Sequence, residues 1–168
     1  MHSLRIATLL GYFAKNSGFS KQDQLLLVSG GLLHDAGKMS IPHEVLNKPG
    51  RLDPDERKVM EGHVPATTDF LNATEGVPYG VRVIAEQHHE KLDGSGYPKG
   101  LKGYELNELA RIAAIVDIFS ALTDRRVYKP SMPAEKAIDI MEKQMGSHLD
   151  MSIFALFKML LLDSAVKF

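Results

Sequence analysis

The sequence predicts an all-α bundle of about seven helices, and three observations carry that expectation. Apolar residues recur at spacings of three and four through most of the chain. Few segments alternate with period two, the mark of a half-buried strand. Clusters of Gly, Pro, Asn and Ser interrupt the apolar pattern where helices would have to turn. The 168 residues suffice for one domain with a sizeable core, and 44% hydrophobic with 24% charged residues is ordinary for a globular chain.

Composition also excludes several functions. A net charge of −1 offers no global attraction for nucleic acid or a membrane surface, so any anion site must be built locally. Without cysteine there is no disulfide, no thiolate metal site and no thiol nucleophile. No apolar run approaches the roughly 18–20 residues of a membrane span. The longest, Phe154 to Leu162, is broken by Lys158. There is no signal-peptide pattern, and a cytoplasmic setting is expected.

Taken in order, residues 2 to 15 read as a helix with Leu4, Ile6, Ala7, Leu9, Leu10 and Phe13 on a broad apolar face. His2 stands at its very start, which is expected of a piece of a longer regulatory protein. Asn16-Ser17-Gly18 supplies a stop, and Ser20 with Asp23 resembles a capping box. The next helix is apolar nearly all round (Leu25, Leu26, Leu27, Val28, Leu32, Leu33) and is expected to be the buried central one. It runs into His34-Asp35. Asp53-Pro54-Asp55-Glu56 starts a third helix, which carries His63, is expected to kink at Pro65 and ends by Gly76. Pro78 opens a fourth, leading to His88-His89. Residues 91 to 107 form a loop with Gly94, Gly96, Pro98, Gly100 and Gly103, long enough to be functional. Leu109 to Leu122 is an apolar helix with Asp117 in its middle. Helices from about Ser131 to Met145 and from Met151 to about Ala165 complete the chain.

The candidate chemistry lies where polar residues interrupt these apolar helices. His2, His34, Asp35, His63, His88, His89 and Asp117 fall on separate helices, each at an end or on an otherwise apolar face. A buried carboxylate costs several kcal/mol unless paired or bound to a metal. Imidazole and carboxylate without thiolate suit iron, manganese, zinc, nickel or cobalt, and seven ligands suit two such ions rather than one. Asp35, with two oxygens, is the natural bridge. His2, His34, Asp35 and Asp117 would serve one ion, and Asp35, His63, His88 and His89 the other. Two ions about 3.5–4 Å apart can hold a hydroxide between them for in-line attack on a phosphodiester. Lys38, three residues after Asp35, could reach the scissile phosphate, and Arg126 with Lys129 offers a second cationic patch. Each residue alone has a plainer reading. A lone His63 or His2 is ordinarily a surface or satisfied core residue, and Asp117 a buried acid paired to an arginine. Arg125, Arg126 and Lys129 alone would be a solvated charge cluster. Several such interruptions together are hard to explain that way, because each destabilises the fold if left unpaired.

The ordered pattern resembles the HD-GYP family of the HD superfamily. His34-Asp35-Ala36-Gly37-Lys38 with Ile41-Pro42 matches its HDxGK…IP signature, and His88-His89-Glu90 through Asp93-Gly94-Ser95-Gly96-Tyr97-Pro98 matches HHExxDGxGYP. Lys48-Pro49-Gly50 with Leu52 and Glu56 matches the block between them. Ala110-Arg111-Ile112, Asp117, Ala121-Leu122, Arg126 and Tyr128-Lys129 match the block after them. The resemblance implies a single HD-domain helical bundle over residues 1–168. It implies a metal-dependent phosphodiesterase that hydrolyses cyclic di-GMP to linear pGpG or GMP, with some relatives preferring the hybrid cyclic GMP-AMP. It further implies metal ligation by the seven residues above and substrate contacts from Lys38, Tyr97, Arg126 and Lys129. Partners implied are a diguanylate cyclase (GGDEF) domain at the GYP loop and an upstream sensory or receiver domain. Two departures stand out: Ser120 where the family often has Asp, and Thr67 where Gly is usual. A third-metal glutamate would precede this chain's first residue, so two ions are expected. The rival readings are a catalytically silent metal-binding module and an HD phosphohydrolase of another nucleotide.

Overall fold

The computed structural model describes residues 2–124 and 131–163, which fold into nine α-helices and two short 3-10 segments. The helices are α1 (His2–Asn16), α2 (Lys21–Leu33), α3 (His43–Leu46), α4 (Pro54–Glu61), α5 (His63–Ala73), α6 (Tyr79–Gln87), α7 (Glu108–Thr123), α8 (Ala134–Gln144) and α9 (Met151–Asp163). The 3-10 segments are Ala36–Ser40 and Gly103–Glu105. Among the described residues the only β pairing is an isolated bridge, Asp93 to Lys102, within the long loop. The all-α expectation holds. No helix among them is long and apolar enough to cross a membrane.

The two extra helices have local causes. One is the four-residue α3. The other arises because the helix expected to kink at Pro65 breaks instead at Gly62, between α4 and α5. Pro65 falls at the third residue of α5, in the first turn, where a missing N–H breaks no helical hydrogen bond. α4 starts as expected. Asp53 accepts from the Asp55 and Glu56 amides, and the Glu56 carboxylate accepts the Asp53 N–H. At α2 only half of the box forms: Ser20 Oγ accepts the Asp23 amide and donates to the Asp23 carboxylate.

The central buried helix is α7, not α2. α7 buries Ala110, Ile112, Ala113, Ile115, Val116 and Phe119 on several faces, whereas Leu25 and Leu32 of α2 are 67% and 45% exposed. α2 approaches its neighbours through glycines instead. A Cβ on Gly30 would stand 2.5 Å from Ile84 of α6, and one on Gly31 would stand 3.0 Å from the Ala7 Cα of α1. That close approach adds to the apolar contacts of Leu27, fully buried in the core, and of Leu26 and Leu33, which pack against Leu71, Val81 and Ala85. The core gathers Ile6, Leu10 and Phe13 of α1, Ile112, Ile115 and Phe119 of α7, and Phe154 and Phe157 of α9. Phe119 and Phe157 meet edge to face at 5.3 Å. Packing α1, α2, α5, α6 and α7 together brings one end or one face of each to a common point.

Candidate metal centre

That point is where the interrupting polar residues meet. Asp35 follows α2 and caps the Ala36–Ser40 segment, and its carboxylate is largely buried. Its two oxygens face different neighbours. Oδ2 lies 3.2 Å from His34 Nε2 and 4.0 Å from His2 Nε2; Oδ1 lies 3.3 Å from His63 Nε2 and 3.8 Å from His88 Nε2. Asp117 Oδ1 is 3.0 Å from His2 Nε2. His89 joins through its ring, 4.0 Å from His88 and 5.1 Å from His63. Two groups of ligand atoms result, each lying within 4.8 Å of one another: Asp35, His63, His88 and His89, and His2, His34 and Asp117. All seven residues singled out in the sequence are thus brought together; Asp35, expected in both groups, falls with His63, His88 and His89, while its Oδ2 lies 3.2 Å from His34 Nε2 of the other.

The imidazoles are aimed by their other nitrogen. Nδ1 of His34, His63 and His88 bonds the carbonyl three residues earlier (Gly31, Met60 and Ala85) at 2.9, 2.6 and 2.9 Å. A carbonyl only accepts, so Nδ1 donates to it and Nε2 is the nitrogen left to ligate. The Nε2 atoms of these three histidines, and Asp35 Oδ1, are buried with no hydrogen-bond partner. Four orphaned buried polar atoms converging on one spot would be costly in a purely structural core. They are what a divalent cation satisfies, so the donor set fits a metal.

Electrostatics follow the same division. Burial, with neighbouring His89 and His34, pushes His88 well below the ordinary histidine value. Burial drives His89 down to about 4, despite the opposing pull of Asp117. Both rings are therefore neutral and ready to ligate at neutral pH. His2 moves the other way. Its hydrogen bond to Asp117 raises it, burial opposes, and Asp124 adds to the rise. Burial works against ionisation of Asp35 and Asp117. The His34 and His63 imidazoles beside Asp35, and the His2 hydrogen bond to Asp117, outweigh it and keep both carboxyls below their usual range.

The surrounding side chains complete the site. Lys38 Nζ lies 2.5 Å from Asp35 Oδ2 and is one-third exposed. Tyr97 stacks on His89 at 4.8 Å. Arg126 and Lys129 lie outside the described residues. Thr67 is buried and built in: its Oγ1 accepts the Gly37 N–H and donates to the His63 carbonyl, both at 2.8 Å. Ser120 is buried too, and its Oγ donates to Asp124 Oδ2, so a carboxylate stands one helical turn beyond the position where the resemblance expects one.

Two participants were missed from the sequence. Asp124 Oδ2 lies 3.0 Å from His2 Nδ1. It follows Asp117 and Ser120 at i, i+3 and i+7, a helical face that could have drawn attention to it. Glu90 is buried, and its carboxylate accepts the Lys99 and Leu101 amides at 2.6 and 3.0 Å, folding the GYP loop back over His89. Its place in the HHE triplet is visible in the sequence; its bonds to amides nine and eleven residues on are not.

A family model for the HD domain matches residues 1–153. The chain belongs to the HD domain family. Both signatures place it in the HD-GYP branch. It is 38% identical over 157 residues to the 3'3'-cGAMP-specific phosphodiesterase 3 of Vibrio cholerae, covering 94% of this chain and 34% of the relative. It is 36% identical over 148 residues to the cyclic di-GMP phosphodiesterase response regulator RpfG of Xanthomonas campestris, covering 87% of this chain and 39% of that protein. The HD domain described here thus spans little more than a third of the length of these relatives. Among solved structures, an HDG"Y"P protein from Bdellovibrio bacteriovorus superposes with a TM-score of 0.79 at 20% identity, over 96% of this chain and 51% of that one, which supports the shared fold.

Proposed function

We propose that this HD domain is a metal-dependent phosphodiesterase acting on cyclic dinucleotides, cyclic di-GMP or 3'3'-cGAMP, through two divalent ions. The observation that carries this reading is the convergence of three partnerless imidazole Nε2 atoms and one partnerless Asp35 oxygen at a buried point. Asp35, His63, His88 and His89 would hold one ion, and His2, His34 and Asp117 the other, with Asp35 shared because its two oxygens face the two groups. Bound there, iron or manganese would supply Lewis acidity for a phosphoryl oxygen and lower the pKa of water.

The chain's own residues supply the rest. Lys38 stands at the edge of the centre, part-exposed, where its ammonium can meet a phosphate. Tyr97, packed on His89 and part of the loop that Glu90 pins, presents an aromatic ring beside the centre for a base or ribose. Arg126 and Lys129 follow α7 in sequence and are assigned to a second phosphate on the resemblance alone. The exposed rim of the same loop, including the 96% exposed Tyr104, is the surface we assign to a GGDEF partner, in a cytoplasmic protein with a sensory or receiver domain. The relatives' names divide between cyclic di-GMP and 3'3'-cGAMP, so both substrates belong in the proposal.

The test is metal content and turnover together. Protein purified without chelators and reconstituted anaerobically with manganese or iron is expected to hold two ions per chain. It should linearise cyclic di-GMP or 3'3'-cGAMP, with pGpG, pGpA or mononucleotides resolved by chromatography. Two ions without hydrolysis of any cyclic dinucleotide would replace this reading with a silent binding module. Hydrolysis confined to other nucleotides would replace it with a different HD phosphohydrolase.

A further inference from the structure

His2 is oriented unlike the other rings. His34, His63 and His88 are each aimed by a backbone carbonyl three residues earlier. His2 Nδ1 instead meets the Asp124 carboxylate, 122 residues away, at the carboxyl end of α7. Both oxygens of that carboxylate are engaged: Oδ2 by His2 and by Ser120 Oγ at 3.2 Å, Oδ1 by the Arg5 guanidinium. Arg5 also donates to Thr123 Oγ1 at 2.8 Å. Two side chains one turn apart on α1 are therefore held by two consecutive residues at the end of α7. Asp124 bonds the far nitrogen of the ring, so the imidazole stands between it and Asp117, and it is not itself among the converging ligand atoms.

We propose that Asp124 is the positioning residue of His2. It holds the Nδ1–H so that Nε2 stays turned to Asp117 and Asp35, and it thereby sets ion affinity at the His2, His34 and Asp117 cluster alone. The inference rests on the two-cluster reading above. A carboxylate hydrogen-bonded to the far nitrogen of a ligating histidine fixes tautomer and ring angle and strengthens the donor, and its loss typically weakens metal binding by about 10–100-fold. A merely structural Asp124, serving only to clamp α1 through Arg5, would not act on one cluster selectively.

The experiment uses the whole chain, stripped of metal and titrated anaerobically with manganese(II), with bound ions counted and affinities fitted for two sites. In the unmodified protein two sites are expected. In Asp124→Ala one should weaken by about 10–100-fold and the other stay within about twofold. Asp124→Asn, which keeps an acceptor, should lose less. The weakened site should be the one lost in His2→Ala, and Asp124→Ala added to His2→Ala should cost nothing further, because its effect passes through the ring. Arg5→Ala, which removes the clamp but leaves the carboxylate on His2, should leave both affinities unchanged. The proposal is overturned if Asp124→Ala spares both sites, weakens both alike, or adds to His2→Ala, or if Arg5→Ala reproduces its effect. An unmodified protein with a single manganese site would overturn the two-cluster reading itself, a failure visible before any variant is made.

Discussion

The two ligand clusters sit side by side around Asp35 but are held in place by different means. In the first, His63 and His88 are almost wholly buried, their rings set by local carbonyls, and His88 and His89 are held unprotonated. In the second, His34 is buried and locally set in the same way, but His2 keeps 29% of its side chain exposed, is oriented by carboxylates from a distant helix, and favours its proton. The first cluster is preorganised by short-range backbone geometry. The second depends, through His2, on α1 and α7 being docked. Substitutions and pH should therefore act on them unequally, and Asp35 is where the inequality ends.

The largest effect is expected at that shared residue. Asp35→Ala should empty both clusters and lower turnover of a cyclic dinucleotide by at least about 10³-fold, read by chromatography of products. A variant that kept one tightly bound ion would break the symmetry of the bridge assignment.

Next comes pH in the metal-free protein. Between about pH 6.5 and 4 an unfolded chain protonates His88 and His89 while the folded one resists, so stability must fall as pH falls through that window. His89 alone contributes roughly 3 kcal/mol to this loss. His2, raised in the fold, has the opposite sign: its contribution is complete below about pH 6.5 and disappears as pH climbs through its raised value. Urea titrations across pH 4 to 7 check this, and a flat profile would mean that the first cluster is not held neutral.

Single-ligand deletions sharpen the contrast further. His88→Ala should weaken only the first site and His2→Ala only the second, each by about 100-fold, measured by manganese titration. Equal weakening of both sites by either variant would merge the clusters into one.

The smallest effect concerns Gly37. A Cβ there would stand 2.2 Å from the His63 carbonyl oxygen and 2.6 Å from the Thr67 amide nitrogen, both backbone atoms of α5. Gly37→Ala should cost about 1–3 kcal/mol in folding stability and disturb the first cluster through His63 before the second. Wild-type stability in thermal unfolding would contradict it.

The convergence of the seven candidate ligands was legible because each is a polar break in an apolar helical pattern, and such breaks need a reason wherever the helices pack. The helix starts were legible where a side chain caps its own turn, as at Asp53. Legibility failed where the decisive contact was remote. The apolar residues all round α2 concealed that Leu25 and Leu32 face outward and that Gly30 and Gly31 share the packed face with Leu27. Pro65 drew the expected kink toward itself, although a proline in a first turn disturbs nothing and Gly62 is where the helix stops. Asp124 reads in sequence as one more charge beside two arginines, and its bond to His2 exists only once α1 and α7 meet. Thr67, a departure from the family's usual glycine, proves to tie Gly37 to α5.

The His2 ring also has a mechanical consequence. The rings of His34, His63 and His88 travel with their own stretch of backbone, so a small slide of a helix carries ring and aiming carbonyl together. His2 belongs to α1 while its aiming oxygen belongs to the end of α7. One residue of axial slip is about 1.5 Å. Directed along a 3.0 Å contact to either ring nitrogen, that is enough to stretch it past hydrogen-bonding distance. The geometry at His2 is thus tied, like a vernier, to the axial position of α1 against α7 on a scale finer than a single turn.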